Sequence, residues 1–284
     1  MTPVSLSHRV NDDNNDDREG PVQAGDNSNG IARAFVEARR AGSALTDYPG
    51  TMPATLTAAY RVQDIALALT DSPVAGWKVG KIDPPVDGDN RLVGPIFADQ
   101  IFLPAPGADP IAMPVFGDGF AAAEAEFLLR VGTAPDAGKS DYTIDAARAL
   151  IDAVHVGIEI ASSPFPGINT HGPAVTVSDF GNNNGLVVGA EAAGWQQADI
   201  NAWPITLTIN DAPIGAATAA DMLDGPFGAA CFLFNHLARR GIAVPSGTWI
   251  SSGAVTGVHR VAIGDHVIAT FDGRWSIGCT IAAR

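Results

Sequence analysis

The sequence predicts an α+β fold, with helices near the start of the chain and strands through most of the remainder. Before residue 70, apolar residues recur at steps of three and four, which is the spacing of an amphipathic helix. After residue 120, short apolar runs are separated by turn residues, which is typical of strands. Strands and helices do not alternate, so the pattern argues against a parallel α/β fold.

The first part of the chain carries two predicted helices. Ile31 and Phe35 lie on one face of the first helix, and Gly42 is suited to end it because glycine accepts a left-handed conformation. The second helix is predicted over residues 57–69. Residues 75–114 are rich in glycine and proline, so we expect short strands joined by loops there.

Strands dominate from residue 121 onward, interrupted by two further helices. A short helix is predicted over residues 143–153, with Thr143 as its N-cap, and a longer one over residues 226–240. Two pairs of polar residues are suited to tight hairpin turns, namely Asn210-Asp211 and Asp272-Gly273. The predicted strands cover residues 121–131, 154–161, 186–189, 205–209, 213–217, 248–252, 266–271 and 274–281.

Length and composition predict one large domain behind a polar tail. The chain has 284 residues, of which 46% are hydrophobic, so a sizeable core is available. Residues 1–28 are rich in Asn and Asp and poor in apolar side chains, and we predict a disordered acidic tail there. Residues 29–284 are predicted to form a single domain, with a helical part over about 29–75 and a mixed-β catalytic part over about 76–284.

The charge balance excludes two classes of partner. Lys and Arg number 17 and Asp and Glu 31, which gives a net charge of −14. Such a balance argues against general nucleic-acid binding and against docking on anionic membranes. No apolar run is long enough to span a membrane and no apolar leader segment is visible, so we expect a cytoplasmic protein.

Cys231 and Cys279 lie in apolar runs and are predicted to be core residues.

Three glutamates in apolar, strand-like runs are the main candidates for function. Glu124 and Glu126 are two residues apart, so on a strand they share a face. Glu159 lies in a second apolar run, residues 154–161. Buried carboxylates that share a site repel one another unless they share a proton or bind a cation. Because no cysteine or paired histidine cluster accompanies them, the set favours a hard cation, Mg²⁺ or Mn²⁺.

Other interpretations of these residues stay open from the spacing alone. An edge strand with one solvated face explains Glu124 and Glu126 at least as well as a metal site does. His155 shares the strand face of Glu159, but a histidine in an apolar run is better interpreted as a core residue.

Lys78 is a further candidate, since it lies between an aromatic residue and a valine in residues 76–80. It is either a surface residue on an edge strand or an inward-facing cation. In the second case it would pair with metal-bound carboxylates or with an anionic substrate, and its pKa would be open to tuning for proton transfer.

Two loops offer polar groups for a substrate. Residues 179–185, from Asp179 through Asn182 to Gly185, are rich in Asn and Gly, whose donors are suited to bind a carboxylate or enolate oxygen. Residues 251–257 are small and include Thr256, and their backbone N–H groups are suited to meet an anion. For residues 179–185, a plain turn is at least as good an explanation.

Taken together, these motifs resemble the 2-keto-4-pentenoate hydratase and 4-oxalocrotonate decarboxylase group of the fumarylacetoacetate hydrolase superfamily. The resemblance covers about residues 31–284. It rests on the order and spacing of six short motifs, at residues 76–80, 124–126, 157–160, 179–189, 253–257 and 264–265.

The resemblance implies a fold, a site and an assembly. The fold would be a mixed-β roll of the fumarylacetoacetate hydrolase C-terminal type with a helical N-terminal part. The three glutamates would hold Mg²⁺ or Mn²⁺, Lys78 and Asp99 would be catalytic, and the protein would be a homo-oligomer. The substrate-binding candidates would be Asp179, Asn182 and Thr256.

The function that the resemblance implies is a lyase that hydrates a 2-hydroxy-2,4-dienoate to a 4-hydroxy-2-oxo acid in the breakdown of aromatic compounds. A 2-oxo acid decarboxylase of the 4-oxalocrotonate type and a C–C hydrolase are the alternatives. An alternative of another class is a non-catalytic protein that binds a 2-oxo acid or acts as a scaffold. The sequence departs from the family at residues 161–164, where an arginine is missing, and at residues 179–182, and both departures bear on the substrate.

Overall fold

The computed structural model describes residues 27–105 and 107–284, which form five α-helices and thirteen strands. The helices are α1 Ser28–Ala41, α2 Leu56–Ala68, α3 Ile144–Arg148, α4 Pro173–Ser178 and α5 Gly225–Arg239. The strands are β1 Val74–Val86, β2 Asp89–Phe97, β3 Ile101–Phe102, β4 Ile111–Val115, β5 Phe120–Val131, β6 Ile151–Ser163, β7 Asn183–Glu191, β8 Pro204–Ile209, β9 Ala212–Thr218, β10 Trp249–Ser251, β11 His259–Arg260, β12 His266–Phe271 and β13 Trp275–Ala283.

The strands form two mixed sheets, which confirms the α+β prediction. The large sheet has the order β2-β1-β10-β5-β6-β7-β3, and β11 also pairs with β5. The small sheet has the order β4-β13-β12-β8-β9. Most pairs are antiparallel, but β1 with β10, β3 with β7 and β4 with β13 are parallel.

Strand β5 has one face in the apolar core and the other face in the site of the glutamates. Successive side chains on a strand point to opposite faces. Phe127 therefore points away from Glu126, and its ring packs against Trp203 and Phe271 at centroid distances of 6.1 and 5.3 Å. This contact joins the two sheets through the main apolar core. Burying a side chain of this size stabilises the fold by about 1.5–3 kcal/mol.

Helix α1 covers a second, smaller core. Its buried residue Phe35 packs edge-on against Tyr48, whose ring in turn contacts Phe165 beyond the end of β6. Gly42 ends the helix at φ 66°, as predicted. The tail predicted for residues 1–28 lies outside the described residues except for its last two, and Ser28 already belongs to α1. None of the described helices is long and apolar enough to cross a membrane.

The helix predicted over residues 143–153 is wrong in its extent. Thr143 is its N-cap, as expected, and accepts a hydrogen bond from the Ala146 N–H. The helix ends at Arg148, however, because the residues from Ile151 onward pair with β5 as part of β6. Tertiary pairing overrides the local helical tendency there. Helix α4 has no counterpart among the predicted elements.

Both predicted hairpins are confirmed. Asn210 and Asp211 join β8 to β9 with φ values of 50° and 64°. Asp272 and Gly273 join β12 to β13 with φ values of 52° and 63°. Two successive left-handed residues are what a two-residue hairpin of this type requires.

Gly94, on β2, provides a test of the packing near the site. A Cβ atom there would lie 2.1 Å from the carbonyl oxygen of Phe180, so Gly94→Ala forces backbone apart. We expect the free energy of unfolding to fall by about 1–3 kcal/mol, measured by chemical denaturation. Gly138→Ala is the control, because the nearest atom to its added Cβ is 3.4 Å away. Equal stability of the two variants would contradict this packing.

Candidate metal centre and substrate cavity

The antiparallel pairing of β5 with β6 brings the three glutamates together. Glu124 lies directly opposite Glu159, and Glu126 lies opposite Gly157. Carboxylate oxygens from all three residues lie within 4.8 Å of one another. Glu124 is 4% exposed and the other two are fully buried. The alternative of a solvated edge strand is therefore wrong, since β5 is flanked by β6 and β10.

Neighbouring donors fix two of the carboxylates. Glu126 Oε2 accepts hydrogen bonds from the Ser251 hydroxyl at 2.5 Å and from the Gly253 N–H at 2.8 Å. Glu159 Oε1 accepts a hydrogen bond from Asn183 Nδ2 at 2.9 Å. Such partners hold the orientation of each carboxylate, as outer residues do around metal ligands.

The remaining oxygens of these two carboxylates fit a cation. Among the described residues, Glu126 Oε1 and Glu159 Oε2 are buried and have no hydrogen-bond partner. Buried carboxylate oxygens without partners are costly, and a cation removes that cost. Three carboxylates with no cysteine or histidine among them are a donor set for a hard divalent cation such as Mg²⁺ or Mn²⁺.

Lys78 faces this cluster, so its interpretation as an edge-strand surface residue is wrong. It lies on β1, and its ammonium nitrogen is 3.6 Å from Glu159 Oε1. Burial alone lowers the pKa of Lys78. The carboxylates of Glu159, Glu124 and Glu126 together raise this pKa by more than burial lowers it, so its net value is raised. Lys78 is therefore a buried ammonium that offsets part of the negative charge.

Crowding changes the protonation of the carboxylates themselves. Burial raises the pKa of Glu124 to about 7, against the opposing effect of Lys78 and with a further increase from Glu159. Burial, followed by the charges of Glu159 and Glu124, raises the pKa of Glu126 well above its usual range. The protein without a cation thus holds protons at this site near neutral pH.

The cluster opens into a cavity of about 800 Å³. Lys78, Glu124, Asn182 and Thr256 line it, which places two of the three predicted substrate-binding residues there. Ser252 also lines it and was missed by the sequence reasoning. Within the described part of the chain, Asn182 Oδ1 and the Ser252 hydroxyl are buried without a partner, so both are suited to meet a polar ligand.

The structure places Asp99 and Asp179, two of the predicted site residues, outside the cavity lining. Asp99 is exposed, accepts a hydrogen bond from the Ser72 hydroxyl at 2.6 Å and does not line the cavity. Asp179 is buried outside the cavity lining, and its carboxylate is occupied by Arg39 and by the Ser163 hydroxyl. Neither carboxylate faces the space where a substrate would bind.

Arg39 is another residue that the sequence reasoning missed. It belongs to α1, 140 positions before Asp179. Its guanidinium also donates to the Ser162 carbonyl at 3.1 Å. An arginine from a distant helix therefore lies beside residues 161–164, the stretch in which this sequence lacks the arginine of the family it resembles. Only its position on the buried face of a predicted helix could have indicated an internal role.

His155 is only half-buried, so its interpretation as a core residue holds in part. Its Nδ1 lies 2.9 Å from the Gly189 carbonyl oxygen, and its ring packs edge-on against Trp249 at 5.1 Å.

Comparison with known sequences gives two curated relatives. No sequence profile of a known protein family matches the chain. It is 27% identical over 154 residues to 4-oxalocrotonate decarboxylase of Pseudomonas putida, and 26% identical over 108 residues to the protein of the same name from Pseudomonas sp. (strain CF600). The matches cover 54% and 38% of this chain, and 57% and 39% of the respective relatives.

Solved structures resemble this one over most of its length. A 4-oxalocrotonate decarboxylase from Pseudomonas putida G7, complexed with magnesium and adipate, has a TM-score of 0.74 and 20% identity, covering 89% of this chain and 97% of that one. A fumarylpyruvate hydrolase from Pseudomonas aeruginosa, in complex with Mn²⁺ and pyruvate, has a TM-score of 0.57 and 14% identity, covering 76% and 93%. These likenesses show that the chain has the same fold as these two enzymes.

Proposed function

We propose that the protein is a metal-dependent decarboxylase of a 2-oxo dicarboxylic acid of the 4-oxalocrotonate type. The observation that carries this proposal is the buried cluster of three glutamates and Lys78 at a cavity of about 800 Å³. The names of the two curated relatives support decarboxylation over the hydration that the sequence first suggested.

Glu124, Glu126 and Glu159 would hold Mg²⁺ or Mn²⁺, the cations present in the similar solved structures. When bound, such a cation supplies Lewis-acid stabilisation to the carboxylate and 2-oxo oxygens of the substrate. The hydrogen bonds from Ser251, Gly253 and Asn183 keep two of the carboxylates in place for this role.

Lys78 is the residue that we assign to the 2-oxo end of the substrate. Loss of CO₂ from the far carboxylate leaves an electron pair, which moves through the conjugated double bond to the C2 oxygen. The Lys78 ammonium donates a hydrogen bond to that oxygen and stabilises the developing negative charge. Transfer of one proton to the oxygen completes the dienol product, and solvent restores the proton to the amine.

Arg91 supports a substrate with a second carboxylate. It lines the cavity and its side chain is 8% exposed, yet its hydrogen bonds to Asp224 and Asn90 are both 3.5 Å long. A guanidinium has five N–H donors in a planar fork that matches a carboxylate. In a chain of net charge −14, Arg91 offers the local positive charge that a dianion needs.

Hydration of a 2-hydroxy-2,4-dienoate is the second candidate, because the family resemblance includes hydratases and the same charge stabilisation serves both reactions. A protein that only binds a 2-oxo acid is the candidate of another class. The homo-oligomer implied by the resemblance stays a prediction.

The function is tested by supplying 4-oxalocrotonate and 2-hydroxypenta-2,4-dienoate in separate assays, each with Mn²⁺ and then with excess chelator. We expect Mn²⁺-dependent CO₂ release from the first, and a loss of turnover of about 10²–10⁴-fold in Lys78→Met if that residue transfers the proton. Hydration of the second compound without CO₂ release from the first would instead establish the hydratase. Binding without turnover of either would exclude an enzyme acting on these acids.

Replacement of Glu126 separates metal binding from folding. Glu126→Gln keeps the shape of the side chain but removes one negative charge from the buried cluster. We expect Mn²⁺ affinity, measured by titration calorimetry, to fall by 10-fold or more, of the order seen when metal-supporting groups are lost. Stability without the metal should be equal or higher, because the buried Gln amide is neutral without having to take up a proton. Glu191→Gln, which changes an exposed carboxylate, is the control, and equal Mn²⁺ affinity in both variants would contradict the site.

The raised pKa of Glu124 predicts the direction of the pH dependence. Between its usual value of 4.5 and about 7, the folded protein holds a proton that the unfolded chain releases. This contribution to stability is complete below pH 4.5 and lost as the pH rises through 7. With chelator present, Tm of wild type should therefore fall relative to Tm of Glu124→Gln as the pH rises from 4.5 to 8. A constant difference across this range would show that Glu124 titrates normally.

A further inference from the structure

We propose that Arg39, on α1, is a positioning residue that holds residues 180–183 against the metal centre. This inference rests on the metal site proposed above. It assigns the N-terminal helix a part in the affinity for the cation, although no residue of α1 lines the cavity.

Arg39 makes a dense set of contacts just before this segment. Its Nε and Nη2 lie 2.5 and 2.9 Å from the two oxygens of Asp179, in a two-pronged ion pair that is almost wholly buried. Its guanidinium carbon also lies 5.3 Å from the centroid of the Phe180 ring. The Ser163 hydroxyl donates to the same carboxylate at 2.6 Å, so Asp179 is tied to both α1 and the end of β6.

The segment that follows has an unfavourable backbone conformation. Phe180, Gly181 and Asn182 have φ values of 53°, 64° and 65°, all in the left-handed region. Glycine adopts this region freely, but a bulky residue such as Phe180 does so only where its surroundings impose it. Arg39 contacts both Phe180 and the residue before it, so it is placed to impose this turn.

The turn at residues 180–182 places the side chains of Asn182 and Asn183 at the site. Asn182 lines the cavity, and Asn183 donates its amide N–H to Glu159 Oε1. The turn also confines Lys78, because a Cβ atom at Gly181 would lie only 3.1 Å from Lys78 Cδ. A shift of this turn would therefore move the partners of both Glu159 and Lys78.

Loss of the Arg39 contacts should therefore weaken the cation site without removing any of its ligands. The Asn183 hydrogen bond would no longer hold Glu159 in one orientation, and the carboxylate would need to be reordered when the cation binds. A residue that only stabilises the fold would instead lower Tm and leave the affinity of the folded protein unchanged.

The test compares Arg39→Gln and Arg39→Lys with the control Arg40→Gln. Arg40 is the next residue of the same helix, but it is exposed and pairs with the surface residue Asp71. Mn²⁺ dissociation constants are measured by calorimetry on the full chain at 10 °C, with near-ultraviolet circular dichroism to confirm folding. Both Arg39 variants should bind Mn²⁺ on the order of 10-fold more weakly than wild type, and Arg40→Gln should match wild type.

Arg39→Lys keeps the positive charge beside Asp179 and guards against a failure of Arg39→Gln to fold, yet it cannot make the two-pronged contact. Wild-type Mn²⁺ affinity in a folded Arg39 variant with a lowered Tm would overturn the inference and leave the proposed function intact. A wild-type protein that does not bind Mn²⁺ would overturn both.

Discussion

The burial of three carboxylates within 4.8 Å of one another is the constraint on which the rest of this structure depends. The pairing of β5 with β6 places Glu124 directly opposite Glu159, an arrangement that is unfavourable for like charges even at a surface. In a core it is tolerated only with compensation. Lys78 supplies part of that compensation, protons near neutral pH supply another part, and a divalent cation would complete it.

The elements around the cluster are arranged to supply this compensation. Ser251 lies at the end of β10, opposite Lys78 on β1, and donates its hydroxyl to Glu126. On the other side of β6, strand β7 begins with Asn183, which donates to Glu159. The large sheet thus brings a partner to the cluster from each flank, while the opposite face of β5 carries Phe127 into the contact with the small sheet.

Local sequence could predict the candidates but not their assembly. The spacing of Glu124 and Glu126, and the apolar run around Glu159, identified all three members of the cluster, because strand alternation is a local property. Register between β5 and β6 depends on tertiary packing, so the spacing could not exclude a solvated edge. The contact between Arg39 and Asp179 joins positions 140 residues apart, and neither neighbourhood indicates the other. Asp99 was assigned from resemblance alone, and it is exposed on a short turn after β2.

The most direct test of the account is a crystal structure of the full chain grown with Mn²⁺, with anomalous diffraction recorded at the manganese absorption edge. We expect an anomalous peak between the carboxylates of Glu124, Glu126 and Glu159, with Asn183 still donating to Glu159. No peak at this cluster at saturating Mn²⁺, or a peak only elsewhere in the molecule, would contradict it.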